Sequence, residues 1–169
     1  MIEIELSREH PWPEADWTSL ASRAVRAAVA GTPYGPLADT AALVEVSVRL
    51  ADDDAVQHLN AQYRGKDKAT NVLSFPMVQR DLLETVAGNS DDGEVLLGDI
   101  VLAHGVCVRE ASERGVSVED HATHLMVHGT LHLLGYDHLT DQEGDAMEEI
   151  ERRALATLGI ADPYLIRED

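Results

Sequence analysis

The chain has a single cysteine among its 169 residues, Cys107, which excludes an internal disulfide and suits a reducing cytoplasm. No apolar run approaches the ~20 residues that cross a bilayer, so no membrane anchoring is expected. The opening MIEIELSREH lacks the basic and apolar stretches of a secretory signal. Basic residues are few: 13 Lys and Arg face 31 Asp and Glu, for a formal charge of −18. A field of that sign repels phosphates and argues against non-specific binding to nucleic acid. The apolar fraction of 44% supports a sizeable core, and the length fits one domain spanning 1–169. A soluble cytoplasmic domain is the expectation.

The charge average hides one local exception. The chain has two lysines, Lys66 and Lys68, and both stand beside Arg64 in the run YRGKDK. Residues 64–68 hold three cations and one anion, Asp67. Such a concentration on an acidic chain reads either as a phosphate-binding patch or as a solvated turn between a helix and a strand.

Hydrophobic periodicity gives the order βαβαββααα. Strands are expected at Ile2–Leu6, Leu43–Leu50, Val72–Phe75 and Glu94–Ala103, the last two pairing as a hairpin. Helices are expected over about 14–30, from Asp52 or Asp53 to Tyr63, and over 104–114, 118–134 and 141–158. Ser117 with Asp120, and Thr140 with Glu143, resemble capping pairs. Residues 77–94 read as a long acidic loop. The class this implies is α+β, a small mixed sheet covered by helices.

Five of the eight histidines fall between 121 and 138. On a helix, His121, His124, His128 and His132 lie along one stripe, at steps of 3, 4 and 4. Gly135 ends that helix and lets the chain return His138 to the same place. His128, His132 and His138 therefore offer three neutral nitrogens, the donor set of a catalytic zinc site with its fourth position open. Nickel or copper suits three imidazoles as well. His121, in the first turn, is expected to be exposed. His124 is expected to line the pocket or to support a ligand. Asp137 is a candidate acceptor for a ligating imidazole, or else a turn residue. Cys107 reads as a small buried residue.

The spacing of His128, His132, Gly135 and His138 matches that of the metzincin proteases, HExxHxxGxxH. Gly129 stands where their catalytic glutamate would be, which removes the general base that peptide hydrolysis needs. Gly129 itself reads either as close packing against a strand or as room for substrate.

The string HGTLHLLGYDH, residues 128–138, resembles the signature of the YbeY family of bacterial endoribonucleases. NAQYRGKDKATNVLSFP (60–76) and LLGDIVL (96–102) are similar to two further blocks of that family. Weaker similarity runs from the first strand to the closing DPY at 162–164. Ala69 and Asn71 depart from the proline and aspartate that many members carry. The resemblance implies an α+β fold with zinc in a cleft. It implies a single-strand-specific, metal-dependent endoribonuclease acting on the 3′ end of small-subunit rRNA and in ribosome quality control, with the ribosome or its assembly factors as partners. His128, His132 and His138 match the zinc ligands, and Arg64 the essential cleft arginine.

The residues agree with that chemistry. A metal ion lowers the pKa of a bound water towards 7 and polarises a phosphoryl oxygen. Arg64 can bind two phosphate oxygens with its planar fork, Lys66 and Lys68 can hold flanking phosphates, and Asn71 and Ser74 can contact substrate at the third strand. Two rival readings are a metallohydrolase of another bond and a non-catalytic ribosome-assembly factor with a structural metal.

Overall fold

The computed structural model describes residues 1–87 and 93–164. Its centre is a four-stranded sheet of β1 (Ile2–Arg8), β2 (Leu43–Ala51), β3 (Val72–Pro76) and β4 (Glu94–Ala103), in the order β1-β2-β4-β3. β1, β2 and β4 run parallel, and β3 pairs antiparallel with β4 as the expected hairpin. The helices are α1 (Trp17–Ala30), α2 (Asp53–Arg64), α3 (Leu83–Ala87), α4 (His104–Arg114), α5 (Val118–Leu133) and α6 (Asp141–Thr157). The α+β class is as expected from the pattern.

Strand alternation sends the side chains to two faces. On one face Val44, Val46, Val48, Leu50, Ile100 and Leu102 join the main core with α1, α5 and α6. On the other, Leu73, Val101 and Ala103 pack beneath α2 in a smaller cluster. The β2–β4 register shifts after Glu45, leaving Leu97 opposite no partner. That bulge lets Leu97 and Ile100, three residues apart, both enter the main core.

The caps read from sequence hold the helices that matter most. Ser117 accepts the Asp120 N–H at 3.0 Å and starts α5, and Thr140 accepts the Glu143 N–H at 3.1 Å and starts α6. α5 lies against β3, β4, α1, α4 and α6, so it is buried around most of its circumference. No helix among the described residues is long and apolar enough to cross a membrane.

Three expectations change. α1 starts at Trp17, not 14, because the Asp16 side chain accepts the Ser19 N–H and caps it there. β1 runs on to Arg8, held by parallel pairing with β2. The expected loop 77–94 contains a 3₁₀ turn at Arg80–Leu82 and the short helix α3, pinned by buried Leu83. Its Gly, Asn, Ser and Asp-rich part, 88–92, lies outside the described residues.

Candidate metal centre

α5 projects His128 and His132 one turn apart into a cleft of 260 Å³ that also takes in His138, Arg64, Asn71 and Ser74. The chain leaves α5 through Gly135, at a left-handed φ of 89°, which is what turns His138 back. One ligand atom from each of the three histidines lies within 4.8 Å of the other two.

Hydrogen bonds fix the ring tautomers. His132 Nδ1 lies 2.8 Å from the Tyr136 carbonyl, which only accepts, so Nδ1 carries the proton. His128 Nδ1 lies 2.5 Å from Glu151 Oε1 and donates in the same way. In the neutral rings both Nε2 atoms then bear lone pairs, and they face each other at 3.0 Å. Two acceptors cannot bond one another, whereas two nitrogens at ~2.0–2.1 Å from a tetrahedral zinc stand roughly 3.3 Å apart. The donor set therefore fits a divalent transition metal. Burial, reinforced by the neighbouring His128, pulls His132 down to about 4, so its Nε2 lone pair is free at neutral pH.

Glu151, on α6, is the group that sequence reasoning missed. It is fully buried and accepts from His128, from His124 Nε2 at 3.2 Å, and from the Tyr164 hydroxyl in a short contact. Burial alone would push its carboxyl up, but the His124 and His128 bonds, the His128 charge and the Tyr164 bond hold it down at about 2. A faint signal existed: Glu151 falls on the same stripe of α6 as buried Met147, Ala154 and Leu155.

The remaining candidates divide clearly. Arg64 is the last residue of α2, before the left-handed cap Gly65, and reaches the cleft, its Nη2 3.5 Å from the Ser74 carbonyl. Ser74 is buried in the cleft wall. Asn71 lines the cleft with its amide committed: Oδ1 accepts the Val72 N–H at 2.7 Å and Nδ2 donates to Glu110 at 3.0 Å. Lys66 and Lys68 are exposed outside the cleft wall, and no salt bridge engages them or Arg64 among the described residues. Asp137 accepts the His138 backbone N–H at 2.8 Å, while its carboxylate stays 3.8 Å from His138 Nδ1. That geometry is the turn alternative. His124 sits behind the cleft and touches Glu151, not the facing lone pairs.

His121 is buried, at 2% exposure, because its Nε2 bonds Glu110 of α4 at 2.8 Å; the expected exposure is corrected. Gly129 is resolved in favour of packing: a Cβ there would stand 3.0 Å from Ile100 Cγ2 on β4. Cys107 is buried, and its thiol is pushed up to about 12 by burial.

A family model described as Endoribonuclease YbeY matches residues 3–159. A Rhizorhabdus wittichii protein named Endoribonuclease YbeY is 64% identical over the whole of both chains. A Sphingopyxis alaskensis protein of the same name is 61% identical, over 97% of this chain and 98% of its own. Among solved structures, a Thermotoga maritima protein studied in solution matches with a TM-score of 0.55 at 22% identity, covering 98% of this chain and 100% of its own. That likeness supports the α+β fold.

Proposed function

The chain belongs to the YbeY endoribonuclease family, and from that premise we propose that it is a zinc-dependent endoribonuclease cutting single-stranded RNA at the cleft of His128, His132 and His138. The observation that carries the reading is the pair of facing Nε2 lone pairs beside Arg64, a cation whose charge nothing on the protein neutralises among the described residues. A divalent cation, when bound, supplies polarisation of a phosphoryl oxygen and acidification of a water molecule.

The chain supplies the rest. His128 and His132, each donating its Nδ1 proton, to Glu151 and to the Tyr136 carbonyl respectively, keep Nε2 available and fixed in direction. Arg64 donates to the non-bridging oxygens of the scissile phosphate and takes up the charge that grows there in the transition state. Ser74 offers a hydroxyl from the wall. Lys66 and Lys68 meet phosphates on either side.

With −18 on the whole chain, these few cations give weak and salt-sensitive affinity for arbitrary RNA. Substrate choice then depends on presentation by a partner. The small ribosomal subunit or an assembly factor, in the cytoplasm, suits this need, with the 3′ end of small-subunit rRNA as substrate.

The test compares cleavage of single-stranded RNA and of casein by one zinc-reconstituted preparation. RNA cleavage that chelation abolishes supports the reading. Casein cleavage without RNA cleavage would move the site to another class of metallohydrolase.

A further inference from the structure

A second cavity, of 290 Å³, lies on the outer face of the sheet, directly behind the wall of the metal cleft. Its sides are Leu59 and Tyr63 from the last two turns of α2, and Phe75 and Met77 from β3 and the residue after it. Val101 forms its floor. Tyr63 is 62% exposed and Met77 56% exposed. Tyr63 and Phe75 meet edge to face, with centroids 5.4 Å apart.

The groove and the cleft are built by the same two elements. Tyr63 lies in the groove and Arg64, the next residue, in the cleft. Phe75 lies in the groove and Ser74, the residue before it, in the cleft, as strand alternation requires. β3 is an edge strand, so only its single thickness separates the two. The chain has one Phe and four Tyr. Its sole phenylalanine and a largely exposed tyrosine thus meet in one groove, the tyrosine next in sequence to the cleft's Arg64.

We infer that this groove is a base-stacking subsite, taking an unpaired base of single-stranded RNA next to the nucleotides held in the metal cleft. The inference rests on the endoribonuclease reading of that cleft. Charge selects the occupant. Tyr63 in the groove is followed by Arg64, which reaches the cleft, and then by exposed Lys66 and Lys68, on a chain that is otherwise strongly acidic; cations at this end of α2 suit a phosphate backbone crossing the β3 edge. An exposed ring such as Tyr63, backed by half-buried Phe75 and near phosphate-binding cations, is the usual platform for bases without sequence readout. Asp99, half-buried at the groove, accepts from an exocyclic amino group and repels a phosphate, so it orients the base inward and the backbone outward. Arg49, also at the groove, is already tied to Glu9 at 2.5 Å. Duplex RNA has no free base face to offer, so the groove also supplies a physical ground for choosing single strands.

The experiment measures steady-state cleavage of a short single-stranded RNA by the zinc-reconstituted full chain, in wild type, Tyr63→Ala and Tyr63→Phe. A parallel substrate carries 2-aminopurine beside the cleavage site. An exposed ring leaves folding intact when truncated, and equal thermal unfolding of the three proteins checks it. The subsite predicts KM raised roughly 5- to 30-fold in Tyr63→Ala, restored in Tyr63→Phe. It also predicts 2-aminopurine quenching by the wild type that Tyr63→Ala loses.

Unchanged KM and quenching in Tyr63→Ala, with RNA still cleaved, would overturn the subsite and leave the cleft reading standing. A variant normal on free RNA but impaired on RNA within ribosomal subunits would assign the groove to a protein partner and overturn it likewise. No RNA cleavage by the wild type would remove the cleft reading, and the subsite with it.

Discussion

His128 and His132 face each other through their Nε2 atoms at 3.0 Å, each with its proton held on the opposite side of the ring. This pairing is unfavourable for two neutral imidazoles and favourable once a cation stands between them. The protein is therefore expected to bind one equivalent of zinc and to gain thermal stability from it. At a hundredfold excess over Kd the gain is about 2.7 kcal/mol. Calorimetric titration and thermal unfolding should show both effects, and His132→Ala should lose them.

Glu151 holds the His128 ring from behind. Glu151→Gln keeps the shape but removes the charge and places an NH₂ group among donors. Zinc affinity should fall about 10- to 100-fold. Glu149→Gln, on the exposed side of α6 where Glu149 meets Arg152 and Arg153, should leave it unchanged. Equal affinities in the two variants would show that the buried carboxylate does not orient the ligand.

Arg64→Ala should lower kcat/KM on single-stranded RNA by about 10²- to 10³-fold, the usual cost of losing one transition-state donor. Zinc stoichiometry should not change, because Arg64 meets the cleft from α2 and not from the histidine segment. Arg64→Lys should recover only part of the loss, since an ammonium cannot bind two oxygens in one plane.

Gly129→Glu recreates the HExxH string without recreating a peptidase. The first added carbon would already stand 3.0 Å from Ile100 in the core. Overpacking costs about 1–3 kcal/mol, and a buried carboxylate adds to that. The expected result is a markedly lower melting temperature with no casein cleavage. A stable variant that cuts casein would show that Gly129 provides room, not packing.

Stability should also decline as the solution is acidified from neutral. Burial holds His121 below its ordinary 6.5, against the opposing pull of Glu110. Burial would raise Glu110, but the bonds from His121 and Asn71 outweigh it and hold the carboxyl below 4.5. In both cases the unfolded chain binds protons first, so each contribution is complete above those ordinary values and is lost as pH falls through the folded ones. Denaturant midpoints measured downward from pH 7 should fall, and His121→Gln should flatten the upper part of the decline.

Much of this was legible in the sequence because period and punctuation agreed. Alternation marked β2, the helix-ending glycine marked the return of His138, and Ser117 and Thr140 marked two helix starts. The site's first layer was readable because ligand spacing is local, one turn along α5 and one turn past Gly135. Its support was not. Glu151 stands in DQEGDAMEEIER among acids that mostly face solvent, and only the approach of α6 to α5 distinguishes it. His121 looked exposed from its place in the first turn, yet α4 supplies Glu110 to cover it. α3 is five residues long, too short for a period to show. The groove at Tyr63 and Phe75 depends on tertiary placement across β3, which no spacing encodes.

The most direct measurement is cleavage of a single-stranded rRNA fragment by zinc-reconstituted protein, beside a folded His132→Ala variant purified in the same way. The wild type should cleave it and the variant should not. Equal cleavage by both would place the activity outside this histidine cluster.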